Sequence, residues 1–323
     1  MKYTEFEIIS KFFNKNQKLD QNIIQGIGDD SALIKIPKNN ILVTSTDTLI
    51  EGVHFFKNIH PKNLAYKAVA VNLSDLAAMG ALPKWITISI TIPISNTQWL
   101  KYFSNGLFKT LNKYKIILIG GDTNSGPLSI TINIYGLIKG KKALLRKNAK
   151  NGDLIYVTGY LGESAAGLYL LKKKNYLTNI KIRQYLIYKH LHPIPRICEG
   201  IAIKNFANSA IDISDGLISD LGHILNKSHC GANINLNQLP ISKNLINNFK
   251  KTDYLNWALC CGEDYELCFT ISKKNINKLK LAMKKKLIKC KHIGYITSKK
   301  NGFNLFLNNK KINFKKSGFN HFN

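Results

Sequence analysis

Acidic residues and arginine are scarce in this sequence. Its 323 residues include 19 Asp and Glu, and only three of its 47 basic residues are Arg, so the formal net charge of +28 comes almost wholly from Lys. Proteins that read nucleic acids usually use the bidentate fork of Arg as well as Lys. Lys is spread along the whole chain here, beside abundant Asn and Ile, which indicates a compositional bias over solvated faces. We therefore expect no dedicated nucleic-acid site.

Cysteine pairs and long apolar runs are also missing. The six Cys form no CxxC pair and none precedes Cys198, which argues against a disulfide framework and a four-thiolate zinc site. The longest uncharged apolar stretch, 85–100, alternates Ile with Thr or Ser and contains Pro93, so it predicts a strand and no membrane span. Glu5 and Glu7 stand where a secretory signal would need an apolar core, so we expect a cytoplasmic protein.

Motifs of several common enzyme classes are absent as well. The chain has no GxxxxGK[ST] loop of P-loop enzymes, no HRD or DFG motif of protein kinases and no GxSxG elbow of hydrolases. Gly26 and Gly28 lack the third Gly of a dinucleotide fingerprint and follow no strong strand. His190 and His192 are two residues apart and do not share a helix face, so we interpret both as structural.

The apolar pattern predicts a mixed α/β protein with two domains. Alternation at 86–92 and 129–138 and a short apolar run at 115–119 predict strands, and the apolar pattern places further strands at 41–47, 153–158, 209–213, 266–271, 292–296 and 303–307. The helical period predicts helices at 63–79, 99–111, 163–174, 196–206 and 215–227. The pattern breaks into Lys, Asn and Gly over 139–152, so we expect an N-terminal domain at 1–140 and a C-terminal domain at 150–323.

The few acids are concentrated in short segments rich in Gly, Ser and Thr. Ten of the 19 acids lie in six segments that contain no Lys, namely 26–30 (GIGDD), 45–48 (STDT), 72–75 (NLSD), 120–123 (GGDT), 212–216 (DISDG) and 262–266 (GEDYE). Carboxylate and hydroxyl oxygens bind Mg²⁺, and backbone N–H groups beside Gly bind phosphate oxygens. The segments therefore indicate a site for a hard cation and phosphate.

Individual acids in these segments differ in how well a structural role explains them. Asp47 shares the phase of an apolar strand face and Asp75 extends an apolar helix stripe, and a carboxylate there needs a partner that a metal ion would supply. Asp215 can instead be a helix N-cap, and 26–29 can be a plain turn.

Together the segments resemble the thiamine-monophosphate kinase family, within the superfamily of aminoimidazole-ribonucleotide synthetase, selenophosphate synthetase and a hydrogenase-maturation protein. The resemblance runs essentially end to end and is carried by 26–32 (GIGDDSA), 45–49 (STDTL), the string around His54, 64–80 (LAYKAVAVNLSDLAAMG), 120–123 (GGDT), 210–217 (AIDISDGL) and 262–267 (GEDYEL). It implies ATP-dependent phosphorylation of thiamine monophosphate to thiamine diphosphate, the last step of thiamine diphosphate biosynthesis, by direct in-line transfer assisted by Mg²⁺.

The resemblance also implies a role for particular positions. Several Mg²⁺ ions would be held by Asp30, Ser45, Thr46, Asp47, Asp75, Asp122, Asp212 and Asp215. The nucleotide would bind at Gly121, Asp122, Arg146, Ser214 and Asp215, and thiamine monophosphate at His54, Glu263 and Phe319. No general base is expected, because the attacking phosphate oxygen is already an anion. A surface role is the alternative for Arg146, and Phe319 can stack on the vitamin rings but lacks the hydroxyl of a Tyr.

The fold implied by the resemblance is a two-domain synthetase-type α/β fold. An N-terminal α/β domain would bind ATP and Mg²⁺ and would pair its antiparallel sheet with that of a second subunit in a homodimer, and a larger C-terminal α/β domain would complete the substrate and nucleotide sites. Two alternatives stay open, an aminoimidazole-ribonucleotide synthetase and a basic nucleic-acid-binding protein that has lost catalysis. Selenophosphate synthetase is disfavoured, because it uses an N-terminal reactive Cys or selenocysteine.

Overall fold

The computed structural model describes residues 3–15, 17, 20–140, 142–173, 176–177, 179–314 and 318. Its helices are α1 (Glu5–Ile8), α2 (Pro61–Met79), α3 (Thr97–Tyr114), α4 (Glu163–Lys172), α5 (Ile180–Leu191), α6 (Ile197–Ile203), α7 (Leu217–Ser228), α8 (Lys243–Ile246), α9 (Lys251–Cys260) and α10 (Ile276–Lys284). Its strands are β1 (Ile23–Gln25), β2 (Leu33–Ile34), β3 (Asn40–Ile50), β4 (Leu82–Ile92), β5 (Ile117–Ser125), β6 (Ser129–Lys139), β7 (Leu154–Thr158), β8 (Ser209–Asp212), β9 (Cys230–Asn235), β10 (Leu267–Ile271), β11 (Cys290–Ser298), β12 (Phe303–Leu307) and β13 (Lys310–Ile312).

The chain forms two compact units. Unit 1 comprises Met1–Leu76 and Ala81–Lys141, and unit 2 comprises Ala77–Gly80 and Lys142–Asn323. Both contain helices and a β-sheet, so the prediction of a mixed α/β protein with two parts is confirmed. A search of the described helices finds none that is both long and apolar enough to cross a lipid bilayer.

Unit 1 contains a four-stranded sheet in the order β3-β6-β4-β5. β6 pairs antiparallel with β3 and with β4, whereas β5 lies parallel to β4 because α3 carries the chain back between them. The sheet is thus mixed, with one parallel pair. Ile86, Ile88 and Ile90 of β4 are buried while Thr87 and Ser89 between them stay partly exposed, so the alternation gives the sheet one apolar and one polar face.

Helix α2 covers the apolar face of this sheet. A Cβ atom added to Gly136 of β6 would lie 2.9 Å from Cδ1 of Leu76, so glycine at this position lets α2 lie close to the sheet. Ser45 and Asp47 of β3 are cross-strand partners of Ile134 and Ile132, which share the face of Gly136. Asp47, the acid that the sequence predicted on an apolar strand face, therefore faces α2.

Unit 2 is built on a seven-stranded sheet in the order β13-β12-β9-β11-β7-β10-β8. Its strands pair antiparallel except for β12 with β9. Buried aliphatic residues of β7, β8 and β9 pack with α7 and α9 in one core, including Ile155, Ile211, Ile234, Leu221 and Leu259. This core fixes the end of β8, from which the predicted nucleotide residues of unit 2 emerge.

Candidate active site

Strand β3 and helix α2 bring together three residues predicted to hold metal. The hydroxyl of Ser45 donates a hydrogen bond of 2.5 Å to Oδ2 of Asp75. The backbone N–H of Asp47 donates to Oδ1 of Asn72, one turn before Asp75 on α2, at 3.1 Å. The strand and the helix together present hydroxyl and carboxylate oxygens, which are the ligand atoms that Mg²⁺ prefers.

Asp30 and the segment 120–123 line a different part of unit 1, a cleft of about 1240 Å³. Its polar lining residues are Asp29, Asp30, Thr87, Ser89, Asp122 and Asn133, and its apolar lining residues include Phe6, Ile9, Phe13, Ile34 and Leu118. Oδ1 of Asp29 accepts the backbone N–H of Asp30 at 2.8 Å. A cleft lined by both apolar and polar residues suits a ligand that carries an apolar ring and charged groups.

The GGDT segment lies inside β5, whereas the sequence predicted that this strand ends before it. A Cβ atom added to Gly121 would lie 2.0 Å from the carbonyl oxygen of Ile88, so only Gly allows β5 to continue beside β4 at this point. Asp122 follows with its side chain on the polar face, where Oδ2 accepts a hydrogen bond from Nδ2 of Asn124. The backbone of the segment thereby becomes part of the cleft wall.

A row of polar side chains crosses the polar face of the sheet. Oγ1 of Thr46 donates to Oδ1 of Asn133 at 2.6 Å, and Nδ2 of Asn133 donates to Oγ1 of Thr87 at 3.1 Å. Thr46 and Asp122 share this face, whereas Ser45 and Asp47 face α2. Because β3 and β5 are three strand spacings apart, about 14 Å, unit 1 does not gather its predicted metal residues into one cluster.

His54 lies in the turn that follows β3. The backbone N–H of Ile50 donates to its Nδ1 at 3.0 Å, so the neutral ring carries its proton on Nε2. This contact holds the half-buried ring against the end of the strand and leaves Nε2–H as the hydrogen-bond donor of the ring.

In unit 2 the segments 212–216 and 262–266 run side by side. The backbone N–H of Glu263 donates to the carbonyl of Ser214 at 2.8 Å, and that of Tyr265 donates to the carbonyl of Ile213 at 2.9 Å. Buried Asp212 closes β8 just before them. The structure therefore places a predicted substrate residue beside the predicted nucleotide and metal loop.

Asp220, which the sequence analysis did not single out, holds that loop in place. Its Oδ2 atom accepts the backbone N–H groups of Asp215 at 3.0 Å and of Gly216 at 3.1 Å. Burial raises the pKa of the Asp220 carboxyl to about 7, against the opposing effect of these N–H groups. Acidic residues are favoured in the first turn of a helix, and the position of Asp220 near the start of α7 is the signal that the sequence offered.

The remaining acids of the GEDYE segment support the fold. Asp264 accepts the backbone N–H groups of Gly162 at 2.7 Å and of Ser164 at 3.3 Å, and so caps the start of α4. Burial raises the pKa of its carboxyl to about 8. Glu266 is held by Arg196 through bonds of 2.6 Å from Nε and 2.5 Å from Nη2, and it also accepts the hydroxyl of Thr158 at 2.6 Å. These contacts explain two acids of the six segments without a metal ion.

Arg146 and the C-terminal tail complete the predicted set in unit 2. The carbonyl of Arg146 accepts the hydroxyl of Ser228 at 2.7 Å, and its side chain is exposed. Since α7 has 12 residues and spans about 18 Å, the backbone of Arg146 is anchored at the opposite end of α7 from Ser214. Phe319 lies outside the described residues. Its neighbour Gly318 lies against the start of α7, because an added Cβ would be 2.6 Å from the carbonyl oxygen of Asp215.

The donor set fits Mg²⁺ bound jointly with a phosphate ligand. Among the described residues no group of three or more His, Cys, Asp or Glu lies close enough to hold a metal ion. Mg²⁺ commonly keeps several waters and takes one or two carboxylates together with substrate phosphates. The hydrogen-bonded pair of Ser45 and Asp75, with Asp47 beside it, provides such a partial set of oxygen ligands.

Known proteins match the chain over nearly its whole length. Residues 28–138 match the family described as AIR synthase related protein, N-terminal domain, and residues 150–304 match AIR synthase related protein, C-terminal domain. The thiamine-monophosphate kinase of Buchnera aphidicola subsp. Schizaphis graminum (strain Sg) is 74% identical over 322 residues, which is 100% of each chain.

Solved structures agree with these sequence matches. The crystal structure of thiamine-monophosphate kinase from Stenotrophomonas maltophilia K279a superposes with a TM-score of 0.83 at 35% identity, covering 95% of this chain and 96% of that one. The structure of AaThiL complexed with AMPPCP and TMP superposes with a TM-score of 0.77 at 32% identity, covering 92% of each chain.

Proposed function

The chain belongs to the thiamine-monophosphate kinase family and phosphorylates thiamine monophosphate to thiamine diphosphate with ATP, and we propose that it does so with Mg²⁺ ions held by the acidic segments described above. The observation that carries the assignment of the site is the hydrogen bond between the N–H of Glu263 and the carbonyl of Ser214. The backbone of Glu263, whose side chain is proposed to meet the vitamin, thus runs beside the loop proposed to meet the nucleotide, which supports a transfer between the two ligands.

Donor and acceptor are both phosphates, so repulsion between anions is the main obstacle to the transfer. Bound Mg²⁺ would neutralise charge on their oxygens. The proposed ligands are oxygen donors throughout, namely Asp30, Ser45, Thr46, Asp47, Asp75, Asp122, Asp212 and Asp215. Residues of this chain then have to bind the ligands, align them and keep water away, and no side chain has to remove a proton from the attacking oxygen.

The residues proposed for the nucleotide are Gly121, Asp122, Arg146, Ser214 and Asp215. Gly121 and Asp122 line the cleft of unit 1, whose apolar lining residues suit the base of ATP. Ser214 contributes a hydroxyl from the loop that Asp220 braces, and the exposed guanidinium of Arg146 suits bidentate contact with phosphate. Thiamine monophosphate would meet Nε2–H of His54, the carboxylate of Glu263 and the ring of Phe319.

The proposal includes the assembly and location of the protein. We assign the metal-binding and dimerisation role to 1–140 and the role that completes the substrate and nucleotide sites to 150–323, with a homodimer as the working state. The spread of Thr46 and Asp122 across the sheet supports a site that one sheet does not complete alone. None of the six Cys, all of which lie in the described part of the chain, forms a disulfide, which supports a cytoplasmic location, where thiols stay reduced.

Mass spectrometry of the purified protein with ATP, Mg²⁺ and thiamine monophosphate tests the proposal. We expect thiamine diphosphate and ADP with Mg²⁺ and no product after EDTA is added. Product formed equally well in EDTA would contradict the magnesium role. If a folded sample forms no product but turns over the substrate of aminoimidazole-ribonucleotide synthetase, the protein has the activity of that relative instead.

A further inference from the structure

A buried histidine of unit 2 lies against the carboxylate proposed to contact thiamine monophosphate. His190 is in the last turn of α5 and only 4% of its surface is exposed. Its Nδ1 atom lies 3.4 Å from Oε2 of Glu263 and 3.1 Å from Oγ of Ser164. The sequence interpretation of His190 as a purely structural residue gives no reason for this contact.

The two contacts of Nδ1 constrain the proton of the ring. A carboxylate accepts hydrogen bonds and cannot donate one, so attraction to Glu263 requires the proton to be on Nδ1. The hydroxyl oxygen of Ser164 can accept from the same N–H group. At 3.4 Å the contact with Glu263 is electrostatic more than a full hydrogen bond, and it orients the carboxylate toward Nδ1.

His190 is itself held by the packing of α4 against α5. The backbone N–H of Ser164 is fixed by Asp264 at the start of α4. Further along α4, a Cβ atom added to Gly167 would lie 2.1 Å from the carbonyl oxygen of Leu186 and 2.9 Å from Cβ of His190. Because glycine lets α4 and α5 approach this closely, the imidazole ring of His190 is held in a defined position beside Glu263.

Glu263 depends on such support more than an ordinary surface residue does. Its backbone is in the left-handed region, with φ of 58°, and its side chain is 27% exposed. A partly exposed Glu side chain has several accessible rotamers, and restricting it to one of them on binding costs conformational entropy. A neighbour that orders the carboxylate in advance lowers this cost and tightens binding.

We propose that His190, together with Ser164, is a positioning residue that fixes the carboxylate of Glu263 for thiamine monophosphate. The inference rests on the proposed substrate role of Glu263. It predicts that substitution of His190 weakens the binding of thiamine monophosphate and leaves ATP binding and folding unchanged. The reason is that His190 acts through one carboxylate that only this substrate would contact.

Steady-state kinetics on single and double variants test the inference. For His190→Leu we expect the KM for thiamine monophosphate to rise about five- to ten-fold, with kcat and the KM for ATP within about two-fold of the wild type. His190→Asn keeps an N–H donor near the position of Nδ1 and should recover most of the affinity. In the Glu263→Gln background, His190→Leu should have no further effect on the KM for thiamine monophosphate.

Thermal unfolding and a matched control complete the experiment. His223→Leu removes an exposed His of α7 and should leave both KM values unchanged. Additive effects in the double variant, or equal losses for both substrates, would overturn the positioning role, as would a fall in Tm without a change in KM. If Glu263→Gln itself leaves the KM for thiamine monophosphate unchanged, the proposed substrate role of Glu263 is wrong. If that variant raises the KM and His190→Leu does not, only the inference about His190 is wrong.

Discussion

Ser45 on β3 and Asp75 on α2 are 30 residues apart in the chain and are joined by a hydrogen bond of 2.5 Å. The bond ties the strand that carries Thr46 and Asp47 to the helix that covers the apolar face of the sheet. It also keeps a hydroxyl and a carboxylate side by side, although an apolar face is a costly place for a charge without a partner. The pair therefore has a structural role and a proposed metal role, which substitution can separate.

Asp75→Asn should abolish turnover while the protein stays folded. The amide oxygen of Asn still accepts the hydroxyl of Ser45, but the negative charge proposed to bind Mg²⁺ is lost. We expect kcat/KM to fall about 100-fold or more, with a small change in Tm. Asp253→Asn removes one charge from an acid of α9 outside the site and is the control. Turnover of Asp75→Asn close to the wild type would rule out the metal role.

Substitutions of His54 should distinguish the roles of its two ring nitrogens. His54→Asn provides an oxygen near Nδ1, so the bond from the N–H of Ile50 can persist while the Nε2–H donor is lost. We expect its KM for thiamine monophosphate to rise about ten-fold at an unchanged Tm. His54→Gln extends an amide toward the position of Nε2 and should bind the substrate better than the Asn variant. If His54→Asn binds thiamine monophosphate better than His54→Gln in binding assays, the substrate contact depends on Nδ1 and the turn and not on Nε2.

Removing Arg196 should destabilise unit 2 strongly, because Glu266 would be left as a buried charge without its bidentate partner. For Arg196→Met we expect the free energy of unfolding to fall by about 3–5 kcal/mol. Chemical denaturation measures the change. Glu199→Gln, which removes the more exposed partner of Arg196 at 3.3 Å, should cost less than about 1 kcal/mol. Similar losses for the two variants would show that Glu266 is not the principal partner.

Asp264 should make stability depend on pH in a defined direction. Burial raises the pKa of its carboxyl from 3.8 to about 8, so the folded state binds this proton more tightly than the unfolded state. The stabilisation is fully present below pH 3.8 and is lost as pH rises through about 8. Asp264→Asn cannot titrate, so its free energy of unfolding should fall less between pH 5 and 9 than that of the wild type. Parallel curves for the two proteins would contradict the raised pKa.

The elements with a clear period were predictable from sequence. The strict alternation of Ile with Thr or Ser at 86–92 gave β4, and the apolar stripe through 63–79 gave α2, because each pattern matches one structure with one buried face. The sequence did not predict helix α5. The large side chains of Tyr185, Tyr188 and Ile180 are exposed, so the apolar residues of this helix do not form one clear stripe. Strand β5 was predicted too short, because Gly120 and Gly121 indicate a turn unless the neighbouring strand is known.

The sequence proposed the site as a list of residues and left their arrangement open. Acids without Lys neighbours pointed to the segments, but nothing local shows that Glu263 faces outward while Asp264 caps α4. The direction of the Glu263 side chain depends on backbone pairing with Ser214, which lies 49 residues earlier in the sequence. His190 was likewise interpreted from its own helix alone, and its contact with Glu263 comes from the packing of distant elements.

The left-handed backbone at Glu263 and Tyr265, with φ of 58° and 51°, limits how this enzyme can evolve. Such a conformation costs a non-glycine residue roughly 1–2 kcal/mol, so glycine at either position would relieve strain. Glycine at 263 would delete the carboxylate, and glycine at 265 would delete a buried ring. Selection for heat resistance would therefore meet a conflict in this segment between stability and the substrate contact proposed for Glu263.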